Sequence, residues 1–175
     1  MLKVIVLTII VLVAALLIYA ATRPDTFRLQ RSTTITALPE KIFPLINDFH
    51  QWPLWSPWEK MDPAMKKTHS GSPQGTGAQY EWEGNSQVGT GKMEIAESMP
   101  PARTLIALDF LKPFEAHNFA EFTLTPAGDT TTVTWAMYGP QPFMAKVMNI
   151  FGMTERMVGP QFEIGLSNLK AIAEQ

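Results

Sequence analysis

The chain has 175 residues, of which 46% are hydrophobic and 17% are charged, and it contains no cysteine. The absence of cysteine excludes disulfide bonds and thiolate chemistry. The formal net charge is −2, and no basic stripe or basic-aromatic cluster is present, so the sequence predicts no nucleic-acid partner. This length predicts one domain plus an accessory segment.

The first predicted element is an apolar helix. Residues 4–21 are apolar except for Thr8 and Tyr19. A helix of this length spans about 27 Å, close to the roughly 30 Å of a bilayer core. A cleaved signal peptide is the alternative, but its apolar region is usually shorter, and neither Ile18 nor Tyr19 is the small residue that cleavage after Ala20 or Ala21 requires. We therefore predict an uncleaved, single-pass membrane anchor within residues 1–22.

The charges that flank this helix bear on its orientation. Lys3 lies before it, whereas Arg23, Arg28 and Arg31 follow it, with Asp25 against them. Basic residues accumulate on the cytoplasmic side of membrane helices. The pattern favours a cytoplasmic domain, and the lack of cysteine fits either side of the membrane.

The segment after the anchor reads as one strand, two short helices and six further strands. Residues 27–37 alternate between apolar and polar, which predicts the first strand. Pro39 opens one short helix, and a second is predicted where Ser56 can cap, Pro57 can begin the helix and Glu59 can reach back. Turns rich in Gly and Pro then separate six strands, which favours an antiparallel meander. The apolar parity of these strands comprises Tyr80, Trp82, Met93, Ile95, Ile106, Leu108, Phe110, Ala120, Phe122, Leu124, Val133, Trp135 and Met137.

A long C-terminal helix is predicted over residues 142–173. Its apolar residues recur three or four apart, which places them on one stripe that must be buried: Phe143, Val147, Ile150, Phe151, Val158, Phe162, Leu166 and Leu169. Pro160 follows Gly159 in the middle of this pattern. Because proline lacks a donor and crowds the preceding turn, we expect a kink or a restart there.

This order of elements resembles the SRPBCC superfamily, whose helix-grip fold includes START lipid-transfer domains and pollen allergens, and specifically its polyketide cyclase/dehydrase-like branch. The similarity covers residues 27–175. The motifs that carry it are Asn47-Asp48-Phe49, the series Trp52, Trp55 and Trp58, residues 80–84, residues 91–93, and Phe162 with residues 165–169. The resemblance implies an α+β helix-grip domain over residues 26–175, with a seven-stranded curved antiparallel sheet wrapped around the C-terminal helix.

The same resemblance implies a cavity between the sheet and the long helix. Its expected lining is Trp52, Trp55, Trp58, Tyr80, Trp82, Trp135, Met137, Phe151, Met157 and Phe162. Such apolar and aromatic walls suit a hydrophobic small molecule or a lipid. The alternative is that these side chains fill the core, and that the tryptophan series plugs one end instead of lining an entrance.

Catalytic signals are sparse. No nucleophile stands beside a base, and the three histidines have no metal-ligand spacing, so no metal and no cofactor are predicted. The acid-base candidates are Glu81, Glu94, His50 and Tyr138. The sequence thus predicts a membrane-anchored binding protein for a hydrophobic small molecule or lipid. The alternatives are a polyketide cyclase/dehydratase-like enzyme and a protein-interaction module related to chaperone-ATPase activators.

Overall fold

The computed structural model describes residues 1–175. Six α-helices and seven β-strands follow one another in this order: α1 Leu2–Ala21, β1 Thr26–Ile35, α2 Pro39–Asn47, α3 Trp52–Trp55, α4 Trp58–Met61, β2 Lys66–Gly71, β3 Ala78–Glu83, β4 Thr90–Met99, β5 Arg103–Lys112, β6 Ala116–Ala127, β7 Thr130–Pro140, α5 Phe143–Ile150 and α6 Met153–Ala173. A 3₁₀ turn, Phe49–Gln51, joins α2 to α3.

The strands form one antiparallel sheet in the order β1-β7-β6-β5-β4-β3-β2. Consecutive strands from β2 to β7 are neighbours, and β1 adds to the free edge of β7, where Leu29 pairs with Met137. Helix α6 packs along β1, and α2 and α3 contact α6. The predicted helix-grip α+β fold with a seven-stranded sheet is confirmed.

The core lies between the sheet and these helices. The apolar parity predicted for β3 to β7 faces this core, with Phe110 partly buried and the remaining members buried. The period of two identifies the inward face because successive strand residues point to opposite sides of the sheet. On the outer face, Arg103 pairs with Glu97 and Glu121.

The C-terminal helix differs from its prediction. It is divided into α5 and α6 by Phe151 and Gly152, and Gly152 adopts a left-handed conformation with φ of 68°. Pro160 lies inside α6 and produces no break. Glycine reaches positive φ without strain, so the chain turns at Gly152. Pro160 is exposed, and the packing of α6 on β1 holds the helix through it.

The predicted capping box at Ser56 is wrong. Ser56 ends α3, where its backbone N–H donates to the Trp52 carbonyl, and α4 has no side-chain cap. The Glu59 carboxylate instead accepts a hydrogen bond from the Tyr80 hydroxyl at 2.7 Å. The capping box does not form because the Glu59 side chain extends towards β3 and bonds Tyr80, and so does not reach the backbone N–H of Ser56.

Most of helix α1 projects away from the domain, and its C-terminal end contacts α5. It is the one helix long and apolar enough to cross a membrane, and nearly all of its side chains are exposed. Ala20, near its C-terminal end, is fully buried, and α5 is the helix that α1 contacts.

Candidate functional site

An aromatic cluster occupies the space between the sheet and α6. Trp135 on β7 lies at its centre, and the Phe162 ring on α6 stacks on it with centroids 4.0 Å apart and planes 8° apart. Phe122 on β6 stacks on it at 4.8 Å, and Trp55 on α3 meets it edge-on at 5.5 Å. Gly165 lets α6 approach this closely, because a Cβ there would lie 2.8 Å from the Trp135 ring.

The tryptophans around this cluster are held to different degrees. The indole N–H of Trp52 donates to the Ile46 carbonyl at 3.0 Å, and that of Trp55 donates to the Leu45 carbonyl at 2.8 Å. Trp58 on α4 is only partly buried, and its ring covers Trp135 at 5.6 Å and Phe162 at 6.1 Å. Trp52 and Trp55 are therefore fixed in place, whereas Trp58 is the outermost ring over the cluster.

Two polar atoms on the inward face are buried without a hydrogen-bond partner. They are Nε1 of Trp135 and Oγ1 of Thr104. Thr104 lies opposite Phe122 in the β5–β6 ladder, and Phe122 lies opposite Trp135 in the β6–β7 ladder. A buried donor or acceptor left unpaired costs about 1–3 kcal/mol. The interior therefore holds a free donor and a free hydroxyl on strands β7 and β5.

One row of inward-facing residues keeps some access to solvent. Trp82, Met93, Leu108, Asn118, Met137 and Leu29 retain 6–9% exposure, whereas Ile95, Ile106 and Phe122 retain none. Met93 pairs with Leu108 across β4 and β5, and Leu108 pairs with Asn118 across β5 and β6. This row crosses the sheet from β3 to β1, and the interior is least tightly closed there.

Asn118 is the polar member of this row, and it was not among the predicted site residues. Its Oδ1 lies over Gly139, where an added Cβ would come within 2.3 Å of that oxygen. The sequence pattern could have identified it, because Asn118 is the one polar residue at the inward positions that Ala120, Phe122 and Leu124 also occupy on β6. The amide adds a third polar group to the inward face.

The predicted lining residues divide into two groups. Trp52, Trp55, Tyr80, Trp82, Trp135, Met137 and Phe162 are buried in the core, with Trp58 packed against it. Phe151 and Met157 are 59% and 67% exposed, so they lie outside the interior. The break at Gly152 removes Phe151 from the predicted stripe, and Met157 lies on the solvent side of the first turns of α6.

The four acid-base candidates do not form a common site. Glu81 on β3 and Glu94 on β4 are exposed on the outer face, where Glu94 accepts a hydrogen bond from Gln79 at 3.1 Å. Tyr138 on β7 stacks on Phe119 outside the core. His50 is exposed in the 3₁₀ turn. No pair of these groups faces the interior, because the sheet parity points the strand members outward.

The buried carboxylate of Glu59, which was not among the predicted site residues, lies beside the core. The Glu59 side chain is 7% exposed and pairs with Lys67 in addition to Tyr80. Burial, and then the hydrogen bond to Glu59, raise the pKa of the Tyr80 hydroxyl far above its ordinary value. Tyr80 therefore stays protonated as a donor, and the three residues fix α4 against β2 and β3.

Two histidines that are distant in the sequence meet at the surface. The His50 and His69 rings stack with centroids 4.3 Å apart, and both line a cleft of about 140 Å³. Burial, and then the nearby His50, lower the pKa of His69. Nowhere does the structure bring together three or more His, Cys, Asp or Glu side chains that could hold a metal.

A second, larger cleft of about 290 Å³ opens next to the end of α1. Its walls include Arg23 and Arg28 on the anchor side, Leu29 on β1, Lys146 on α5 and Gly152 at the α5–α6 break. Leu29 also belongs to the partly open inward row. The cleft therefore lies beside one end of that row.

Comparison with solved structures identifies the same fold. A solution structure from Thermobifida fusca aligns with a TM-score of 0.64 and 21% identity, over 83% of this chain and 92% of the other. The di-domain ARO/CYC protein BexL, from the BE-7585A biosynthetic pathway, aligns with a TM-score of 0.65 and 14% identity, over 90% of this chain and 53% of BexL. A crystal structure from Chromobacterium violaceum aligns with a TM-score of 0.57 and 16% identity, over 87% and 99%.

No curated protein matches the sequence of this chain. A family model does, and it is described as polyketide cyclase / dehydrase and lipid transport. The match runs over residues 26–174, from the first residue of β1 to the end of α6. This confirms the resemblance to the polyketide cyclase/dehydrase-like branch of the SRPBCC superfamily, and the chain belongs to that family.

Proposed function

We propose that this protein is a membrane-anchored binding protein for a hydrophobic small molecule or lipid that carries a hydrogen-bond acceptor such as a carbonyl or carboxyl oxygen. The observation that carries the proposal is the buried indole N–H of Trp135, which has no partner in the protein. The ligand lies between the sheet and α6, with its oxygen on this N–H and its apolar part against the aromatic cluster.

The chemistry of the interior supports this ligand class. Binding sites for small molecules combine apolar walls with a few polar groups that fix orientation. Here Phe122, Phe162 and Trp55 supply flat apolar surface around Trp135, and Thr104 adds a second unpaired polar atom. Each unpaired group costs stability, and the two lie two strands apart on the same face of the sheet. A ligand oxygen on the Trp135 N–H would recover the cost of that donor.

Access to this site requires side-chain movement, because aromatic rings fill it in the unbound protein. Trp58 is the ring best suited to move. It lies on the four-residue helix α4 and is partly buried, whereas Trp52 and Trp55 are tied to backbone carbonyls. Displacement of Trp58 uncovers the edges of Trp135 and Phe162. The ligand's apolar tail would lie against the row from Trp82 to Leu29, where the inward face keeps some exposure.

The anchor is the second part of the proposal. Helix α1 has the length and composition of a single membrane span, and only four residues separate its end from the start of β1. Residues 1–22 then hold the domain of residues 26–175 at the membrane surface, and Arg23, Arg28 and Arg31 favour its cytoplasmic side. A hydrophobic ligand is most concentrated in the same membrane.

The test uses paired ligands and paired variants. The intact chain in detergent is titrated with anthraquinone and with anthracene, which has the same rings without oxygen, and binding is read from tryptophan fluorescence. Trp135→Phe keeps an aromatic ring and removes the N–H. The control is Trp82→Phe, since that N–H already donates to the Val88 carbonyl at 3.1 Å.

We expect saturable binding of anthraquinone that Trp135→Phe weakens by about 5- to 30-fold, the value of one hydrogen bond of roughly 1–2 kcal/mol. Anthracene binding should change little in either variant. Equal losses for both compounds, or no saturable binding of either, would contradict the proposal.

The enzyme alternative receives no support from its candidate residues, because Glu81, Glu94, His50 and Tyr138 lie on outer surfaces and apart from one another. The interaction-module alternative predicts that the interior stays closed to all apolar compounds. The same titration separates it from the binding proposal.

A further inference from the structure

The surface of α5 and of the turn into α6 is unusually apolar. Six exposed side chains define it, and we call it the elbow surface: Phe143, Met144, Met148, Phe151, Met153 and Met157, each 38–67% exposed. At 100° per residue, the first four fall on one side of the α5 axis, and Met153 and Met157 lie one turn apart at the start of α6. A group of exposed apolar side chains of this kind marks a surface that contacts a protein, a ligand or a membrane.

The position of the elbow surface is fixed relative to α1. Ala20 is fully buried where α1 meets α5. Only Thr22 to Asp25 separate α1 from β1, and Asp25 makes two contacts with residues that lie far along the sequence. Its carbonyl accepts from the Gln141 backbone N–H at 2.7 Å, and its carboxylate pairs with Lys146 on α5 at 2.6 Å.

These contacts hold α5 beside the last turn of α1. That turn carries Tyr19, whose hydroxyl accepts from Arg23 at 3.4 Å. A tyrosine followed by an arginine is typical of the point where a membrane helix leaves the hydrocarbon and enters the headgroup region. Because α5 packs at this level, its exposed apolar side chains lie at the same depth as the headgroups.

We propose that the elbow surface inserts into the boundary between headgroups and acyl chains of the same membrane that α1 spans. The inference rests on the membrane-anchor part of the proposed function. Amphipathic helices lie in this boundary with their apolar face buried about 5–10 Å. The eight residues of α5 and the first turn of α6 form such an element, held in place by the anchor.

One more exposed apolar side chain, outside the elbow surface, lies at the end of the sheet that the proposal places against the membrane. Phe114, in the turn between β5 and β6, is 76% exposed. That turn lies at the end of the sheet where β1 begins, since Arg28 pairs with Tyr138 and Tyr138 with Phe119 near the start of β6. The opposite end, at the β6–β7 turn with Asp129, lies about 30 Å away along the ten residues of β1.

The insertion also determines where the larger cleft lies relative to the membrane. The cleft runs from Arg23 beside α1 to Leu29 at the edge of the interior row, with Lys146 and Gly152 on its helix side. With the elbow surface in the membrane, this mostly polar cleft lies at the level of the headgroups, beside Leu29 of the interior row.

Depth-dependent quenching tests the proposal on the intact chain in phosphatidylcholine vesicles. Because the chain has no cysteine, single substitutions accept one environment-sensitive fluorophore each. The elbow positions are Met144→Cys and Met157→Cys, the anchor control is Leu12→Cys, and the distant control is Asp129→Cys. Spin-labelled lipids carry the quencher either near the headgroup or deep in the acyl chain.

We expect the deep quencher to act most strongly on the label at position 12, and the shallow quencher to act most strongly on the labels at positions 144 and 157, with blue-shifted emission. The label at position 129 should be unaffected. If the label at position 12 is quenched while the labels at positions 144 and 157 have the emission wavelength of a label in water, α1 spans the membrane but the elbow surface does not insert. If the elbow labels are blue-shifted but unquenched, protein and not lipid covers them, and the proposal also fails. If the label at position 12 is not quenched, α1 does not span the membrane, and both the membrane-anchor proposal and the insertion proposal are refuted.

Discussion

Two buried threonines offer a matched test of the inward face. Thr104 and Thr131 are both completely buried. The Thr131 hydroxyl donates to the Ala37 carbonyl at 2.7 Å, whereas the Thr104 hydroxyl has no partner. Replacement by valine removes the hydroxyl and keeps the branched shape. The two substitutions should therefore change stability in opposite directions.

The expected sizes follow from the cost of unpaired buried groups. Thr104→Val removes an unsatisfied hydroxyl, so the free energy of unfolding should rise by about 1 kcal/mol. Thr131→Val removes a hydrogen bond and leaves the Ala37 carbonyl unpaired, so the free energy of unfolding should fall by about 1–3 kcal/mol. Guanidinium denaturation of the intact chain in detergent, followed by tryptophan fluorescence, measures both midpoints.

The result also bears on function. An unpaired buried hydroxyl lowers stability, and we expect to find one where it forms a hydrogen bond with a ligand. Thr104→Val should therefore also weaken anthraquinone binding. If Thr104→Val loses as much stability as Thr131→Val, the Thr104 hydroxyl has a structural partner, and the reasoning from unpaired polar atoms is refuted.

Three further predictions concern the core, the histidines and the anchor. Phe162→Ala should lower the free energy of unfolding by about 3–5 kcal/mol, because it opens a cavity in the aromatic cluster; the exposed Phe143→Ala should cost far less in the same denaturation. In an NMR titration, His69 should show a pKa below the ordinary value of about 6.5 and His117 a pKa above it, since burial lowers the first and the Asp109 hydrogen bond raises the second. Because the folded state binds the His69 proton less readily than the unfolded state, that histidine should reduce stability as pH falls below about 6.5, and His69→Gln should lessen this loss. The intact mass of protein purified from membranes should include residues 4–21, and a mass that begins near residue 22 would show cleavage.

The sheet was predictable because its strands are long and half-buried. A period of two persists along β3 to β7, and turns rich in Gly and Pro bound most of them, so each apolar residue could be assigned to the inward face. The tryptophan series was expected to line a cavity or its entrance, with a plug at one end as the alternative. Trp52 and Trp55 are buried in the core, and Trp58 packs against it. Local patterning was therefore enough for the sheet but did not decide the role of the tryptophans.

The break in the C-terminal helix was not predictable in this way. Pro160 is the stronger local signal, yet the contacts of Phe162, Leu166 and Leu169 with the core keep α6 intact through it. Gly152 carried a weaker signal, and the chain turns there. Tertiary packing decided between two residues that both can end a helix.

The polar details of the site depend on partners far away in the sequence. That Trp135 lacks an acceptor, while Trp52 and Trp55 have one, follows from how the α2–α3 segment folds over the sheet. The stacking of His50 on His69 and the burial of Glu59 against Tyr80 have the same origin. Asn118 is the exception, since its place in an apolar parity could be read from the strand itself.

The most direct test of the central claim is native mass spectrometry of the intact chain released from membranes in detergent, compared with Trp135→Phe. The account predicts an adduct with the mass of a lipid or a hydrophobic small molecule on the unmodified chain, and a smaller bound fraction on the variant, because the ligand loses the indole N–H. Absence of any adduct, together with no saturable binding of added anthraquinone, would contradict the claim that this interior is a ligand site.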